Sequence, residues 1–181
     1  EFYIPIIPFA LVNGISGIGT GFSCNIPAFS PKQVIDYLKY KLQNLDGSQV
    51  GEFIPYYEGF KGTVQKLETN KYLTKGCYEK IEHNKIHITE LPIHMWTMPY
   101  ITFLEGLADG TTDKNGKRVP PSIRDFTSMS TEVNVDIVVT FPQGKLDELE
   151  SKIDPVTGIN GVEKMLKLTS SISSTNMHMF N

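Results

Sequence analysis

Residues 12–21 read VNGISGIGTG, four glycines in ten positions with Ile15 and Ile18 set among them. Glycine lets the backbone take up positive φ or come close to a ligand, at a cost in conformational entropy. Two bulky β-branched residues in so permissive a stretch need a reason. Two phosphate-cradling patterns fail on spacing. The dinucleotide fingerprint wants a glycine three residues beyond Gly19, where Phe22 stands. The phosphate-binding loop wants Lys after its second glycine; Gly14 and Gly19 have the spacing, but Thr20 follows. The stretch is not a standard nucleotide cradle, and on the residues alone Ile18 reads most simply as ordinary core.

On its N-terminal side, YIPIIPFALV (3–12) is expected to be extended, because Pro5 and Pro8 push the residues before them out of the α region. On its C-terminal side, NIPAFSPKQVIDYLKYKLQNLDG (25–47) carries the plainest helix signal. Ser30 can cap, Pro31 suits the first helical position, Val34, Ile35, Leu38, Leu42 and Leu45 form a stripe, and Gly47 is a plausible stop.

Strand-like runs follow at FKGTVQKL (60–67), KYLTKGCYEKI (71–81) and KIHITEL (85–91), with Asn70 and His83-Asn84 suited to the turns between them. TMPYITFLEGL (97–107) reads as a second helix capped near Thr97. From Ala108 to Pro121 the composition turns to Gly, Asp, Asn, Lys and Pro without apolar period, which predicts a long exposed loop, flexible over about 108–121. VNVDIVVTF (133–141) alternates as a half-buried strand, QGKLDELESKI (143–153) as a short amphipathic helix, and GVEKMLKLTSSIS (161–173) closes as strand or helix. Strands and helices mix without regular βαβ alternation, so the fold class is α+β, a mixed or antiparallel sheet with a few packed helices.

The chain has 181 residues, 40% of them hydrophobic and 20% charged, enough for one domain with a real core over 1–181. A net charge of -3 provides no global pull toward nucleic acid or anionic membrane, so any DNA contact must come from a local patch or be shared with a larger protein. Cys24 and Cys77 do not make a disulfide framework, and reduced thiols in an intracellular protein are expected. No apolar run approaches the ~20 residues of a membrane span. The chain starts without Met and in mid-pattern, which reads as a piece of a longer polypeptide.

Candidate chemistry is sparse. His83, His87 and His94, with Cys77 as the soft ligand nearby, lack a metal-site signature and suit surface positions beside a turn. The acids of DELE (147–150) read as a solvated helix face, and the serines and threonines near the end lack a nucleophile elbow. Lys61, Lys66, Lys71, Lys75, Lys80 and Lys85 make a mildly basic strand region, which solvated strand faces explain at least as well as phosphate contacts. No catalytic residue and no metal site is assigned to this chain.

At the glycine-rich stretch the sequence resembles a known family. Pro8, Leu11, Val12, Asn13, Gly14, Gly17 and Ile18, followed by Ile26 and Pro27, match the start of the tower region in the breakage-reunion core of type IIA DNA topoisomerases. FKGTVQKL, ITELPIHMWTMPYITFLEGL (88–107) and LTSSISSTNMHMF (168–180) agree in order and spacing, so the resemblance covers the whole chain. The G-I-G-T-G and E-L-P-x-x-x-W-T forms look eukaryotic rather than bacterial, and the departures resemble those of a version from a large cytoplasmic DNA virus.

The resemblance implies a role for Ile18: in the family the corresponding isoleucine inserts between base pairs of the gate DNA and helps bend it. Gly17 and Gly19 would then let the backbone approach the duplex, with Thr20 and Asn13 also on the DNA side, while Ile15 packs inward. The family's nucleophilic tyrosine lies upstream of this segment, and no Arg-Tyr pair occurs here. In the E-L-P segment the family usually has Arg or Lys where this chain has His94. ATP and magnesium are implied for the full enzyme and neither for this segment. Implied partners are double-stranded DNA, the rest of the topoisomerase chain and a second copy of the enzyme as a homodimer, in the nucleus or, for a virus, the host cytoplasm. Two other readings compete: a protein-interaction or structural domain whose glycine stretch is a tight connection, and a small nucleotide-binding enzyme.

Overall fold

The glycine-rich stretch folds as a β-hairpin. The computed structural model describes residues 4–43, 50–112 and 118–178. A short helix, α1 (Phe9–Asn13), leads into β1 (Ile15–Gly19) and β2 (Phe22–Ile26), which pair antiparallel. The extended segment expected over 3–12 is therefore helical in its second half. Pro8 constrains only its predecessor and sits itself at the helix N-cap, with φ -69°, a position proline accepts.

The residues group into two compact units. Unit 1 holds the hairpin and α2 (Pro31–Leu42). Pro31 starts α2 as expected, but Ser30 makes no side-chain cap bond. The helix ends at Leu42, which is exposed, while Leu45 and Gly47 lie outside the described residues. Val34 is buried, and Phe53 packs edge-on against Phe29 and Tyr37 at centroid distances of 5.8 and 5.5 Å, a geometry aromatic pairs favour.

Three strands, β3 (Thr63–Glu68), β4 (Lys71–Lys75) and β11 (Thr169–Ser173), form a sheet in the order β11-β4-β3. The boundary between the units falls within each of these strands.

Unit 2 contains a four-stranded sheet in the order β5-β6-β10-β9, built from β5 (Cys77–Glu82), β6 (Lys85–Glu90), β9 (Asp125–Ser128) and β10 (Ile137–Thr140), every neighbour antiparallel. The expected run over 71–81 breaks at Gly76 into β4 and β5. A Cβ there would stand 2.3 Å from the Glu90 carbonyl oxygen, so only glycine fits.

Alternation aims Ile86, Ile88, Ile137 and Val139 at one face, where α3 (Thr97–Asp109) adds Tyr100 and Leu104. The helices α4 (Lys145–Ser151) and α5 (Gly161–Met165) add Leu146, Leu149 and Val162 to the same core.

The strand expected over 133–141 is half as long as its pattern. Thr131 accepts at its hydroxyl from the amides of Val133 and Asn134, and residues 129–136 turn back so that β9 can pair with β10. Val133 is left exposed. Of the expected loop over 108–121, Ala108 and Asp109 finish α3, β7 (Thr111–Thr112) pairs antiparallel with β8 (Arg118–Val119), and 113–117 lie outside the described residues.

Candidate nucleic-acid interface

The hairpin register decides what each residue of the glycine stretch can do. Ile15 pairs with Ile26, Gly17 with Cys24 and Gly19 with Phe22, so these side chains share one face. Ser16 with Asn25 and Ile18 with Ser23 share the other. Thr20 and Gly21 close the turn, with Gly21 at φ 88°, where L side chains are strained.

Ile18 is 95% exposed, one residue from the turn-closing pair, and its face otherwise carries only small polar side chains. Burying an isoleucine side chain is worth roughly 1.5–3 kcal/mol. This one contributes almost nothing of that within the chain. Ile15, expected to pack inward, is instead 46% exposed. It lies on the face opposite Ile18, at the open end of the hairpin, across from the buried Ile26.

The base of the hairpin is held firmly. Gly14 has φ 70°, and a Cβ on it would come within 2.9 Å of the Ile26 carbonyl oxygen. The Asn25 amide donates to the Asn176 carbonyl at 2.8 Å, and the Phe29 amide to the Leu11 carbonyl at 2.7 Å. The Cys24 thiol donates to the His178 carbonyl at 3.0 Å.

Gly17 differs from its neighbours. Its φ is not positive, and a Cβ on it would meet nothing within 4 Å. Gly19 lies under the ring of Phe22, a residue that sequence reasoning passed over. The two-residue Thr20-Gly21 turn was the available signal, because it places Phe22 directly across from Gly19. Asn13, at the end of α1, and Thr20, in the turn, are both exposed. The structure thus brings Gly17, Ile18, Gly19 and Thr20 together at one hairpin end, with Asn13 just before its base.

The basic strand region is largely neutralised within the chain. Lys66 pairs with Glu52, Lys75 with Glu163, Lys80 with both Asp147 and Glu150, and Lys85 with Glu82. Among the described residues Lys61 and Lys71 form no ion pair. His87 Nε2 lies 2.9 Å from Asp136 Oδ1, and His94 sits at φ 70°, uncommon for a bulky residue. Cys77 donates to the Lys61 carbonyl, and burial pushes its thiol up from its ordinary value. Among the described residues no three His, Cys, Asp or Glu side chains gather as metal ligands, and the DELE acids face lysines. These residues do not fit a magnesium ion. Among the described residues no helix is long and apolar enough to cross a membrane.

The chain is matched over residues 1–181 by the family model for the A-type subunit of DNA gyrase/topoisomerase IV. It is 36% identical over 182 aligned positions to DNA topoisomerase 2-alpha of Rattus norvegicus and, equally, to DNA topoisomerase 2 of Pisum sativum. Each match covers 100% of this chain and 11% of the relative, so the chain spans about a tenth of their length. The crystal structure of the Plasmodium falciparum topoisomerase II DNA-binding, cleavage and re-ligation domain superposes with a TM-score of 0.81 at 34% identity, over 98% of this chain and 22% of that one. Fold class and the eukaryotic cast of the motifs agree with these likenesses. The chain belongs to the DNA gyrase/topoisomerase IV family, on the side of the eukaryotic type II topoisomerases.

Proposed function

We propose that this chain is a DNA-binding and DNA-bending part of an ATP-dependent type II topoisomerase, the enzyme class that passes one duplex through a transient double-strand break. In this reading Ile18 wedges between base pairs of the gate duplex. The observation that carries it is the 95% exposure of Ile18 at the end of a braced hairpin. An apolar side chain entering the minor groove opens a base step and kinks the duplex, at a cost of a few kcal/mol repaid by added contacts. Gly17 supports the same reading. Nothing among the described residues requires glycine there, and a bare backbone lets a groove wall come close. Thr20 and Asn13 are both exposed, and in this reading their hydroxyl and amide groups contact phosphates.

The chemistry of strand cleavage belongs to the upstream tyrosine implied by the family, and ATP and magnesium are held by other parts of the enzyme. The remaining partners are the rest of the topoisomerase chain and a second copy of the enzyme. A cellular enzyme would work in the nucleus and a viral one in host cytoplasm.

Replacing Ile18 with Ala in the intact enzyme tests the wedge. Thermal melting should hardly change, because an exposed side chain leaves no cavity. Energy transfer across a doubly labelled bound duplex should report a straighter DNA, with supercoil relaxation weakened. Normal bending by the variant, or a large melting loss, would sink the wedge.

A further inference from the structure

Phe22 stands across the last rung of the hairpin from Gly19, with its ring laid over that glycine. A Cβ built on Gly19 would lie 2.9 Å from Cζ, 3.0 Å from Cε1 and 3.3 Å from Cε2 of the ring. The ring therefore occupies the space a side chain at position 19 would need. Glycine weakens a strand because it has no side chain to pack and leaves the backbone loose. An aromatic residue directly opposite can compensate by covering the bare backbone, a device known to pin sheet register at edge glycines.

We infer that Phe22 is a positioning residue for the Ile18 wedge, acting through Gly19. Ile18 and Gly19 are consecutive, so a clasp on Gly19 fixes the orientation of the peptide that carries Ile18. The two side chains leave opposite faces of the hairpin, Phe22 with Gly19 and Ile18 with Ser23. Phe22 thus braces the wedge from behind without standing in its path. The brace is needed because the turn contains Gly21 and the strand contains Gly17, neither of which holds the end of the hairpin stiff. A wedge that yields when pressed into a base stack does no bending, since the unstacking cost must be opposed by a rigid support.

This inference rests on the wedge reading, so the experiment separates the two. Phe22→Leu, Phe22→Trp, Ile18→Ala and the Ile18→Ala/Phe22→Leu pair are made in the intact enzyme. Each is measured for hydrogen exchange over residues 15–26 without DNA and for bending of a labelled duplex. Loss of a cross-strand aromatic contact should speed exchange over 15–19 about two- to fivefold in Phe22→Leu. Bending should fall toward the level of Ile18→Ala, Phe22→Trp should restore both, and the double variant should bend no worse than Ile18→Ala alone. If Ile18→Ala bends normally, the wedge and its brace fall together. If Ile18→Ala straightens the DNA but Phe22→Leu leaves bending or exchange unchanged, only the brace falls. Additive losses in the double variant would mean that Phe22 meets the DNA on its own account, and would also overturn it.

Discussion

Lys75 Nζ lies 3.2 Å from Glu163 Oε2, and each side chain keeps only 13% exposure. The pair joins the end of β4 to α5 across 88 residues of sequence. Glu163 also completes a capping box with Asn160, whose side-chain amide donates to the Tyr78 hydroxyl at 2.7 Å. A largely buried cation therefore meets a carboxylate that the helix start already holds in place.

Removing one partner of such a pair leaves the other charged and poorly solvated. We predict that Lys75→Ala destabilises unit 2 by about 3 kcal/mol. Glu163→Gln should cost less, because glutamine keeps the cap. Combining Lys75→Met with Glu163→Gln should cost less than the sum of the two singles. Urea unfolding of these variants and of Lys75→Met alone checks this, and strictly additive losses would show that the pair is not coupled.

The Tyr100 hydroxyl, inside the unit 2 core, donates to the Leu166 carbonyl at 2.9 Å. Burial pushes its pKa well above that of an exposed tyrosine. Tyr100→Phe should leave the carbonyl unsatisfied and lower stability by roughly 1–2 kcal/mol, read as a shifted urea midpoint at unchanged slope. An unchanged midpoint would mean that water replaces the hydroxyl.

Glu148 accepts from Lys152 and Lys145 at 2.5 and 3.0 Å, which holds its carboxyl down at about 2. Asp147, bonded to Lys80, is also lowered, as is Asp154, which accepts from the Val156 amide. A folded-state pKa below the unfolded one contributes stability that is present above the ordinary carboxylate range and lost as pH falls. Tm should therefore decline between about pH 5 and about pH 2, less steeply in Glu148→Gln. All three groups are exposed, so the decline should flatten at about 1 M salt, where the Debye length is ~3 Å. A salt-independent decline would point to buried groups instead.

The glycines should separate sharply on substitution by alanine. Gly17→Ala should leave stability unchanged or raise it by about 0.5–1 kcal/mol, because the site is open and its φ ordinary. Gly14→Ala and Gly76→Ala should each cost more than about 1 kcal/mol, the first for its positive φ and the second for the Glu90 carbonyl against its Cβ. Denaturant unfolding ranks them. A destabilised Gly17→Ala would remove the case that this glycine is kept for a ligand.

Local pattern made much of the chain legible. The proline-initiated α2, the helices α3 and α4 and the strand over 85–90 stand where the sequence puts them, while the strand expected over 60–67 begins only at Thr63. The second half of 133–141 is a buried strand, but its first half is not, because the Thr131 hydroxyl offers nearby amides a turn and β9 needs that turn to pair. Periodicity reports what a side chain prefers; it is silent on which stretch folds back to meet it.

The amino-acid sequence by itself determined the α+β class, the helices that carry a stripe, and, through the spacing of Leu11, Asn13, Gly14, Gly17 and Ile18, the family. Only the tertiary structure decided that the glycine stretch is a hairpin, that Ile18 leaves it on the solvent side, and that Phe22 covers Gly19. The reason is that a strand has a period of two, so a single choice of register assigns every side chain to one face or the other. That choice was made by the turn at Thr20-Gly21 and by the packing of Gly14 against Ile26, contacts between residues whose identities alone do not say that they meet.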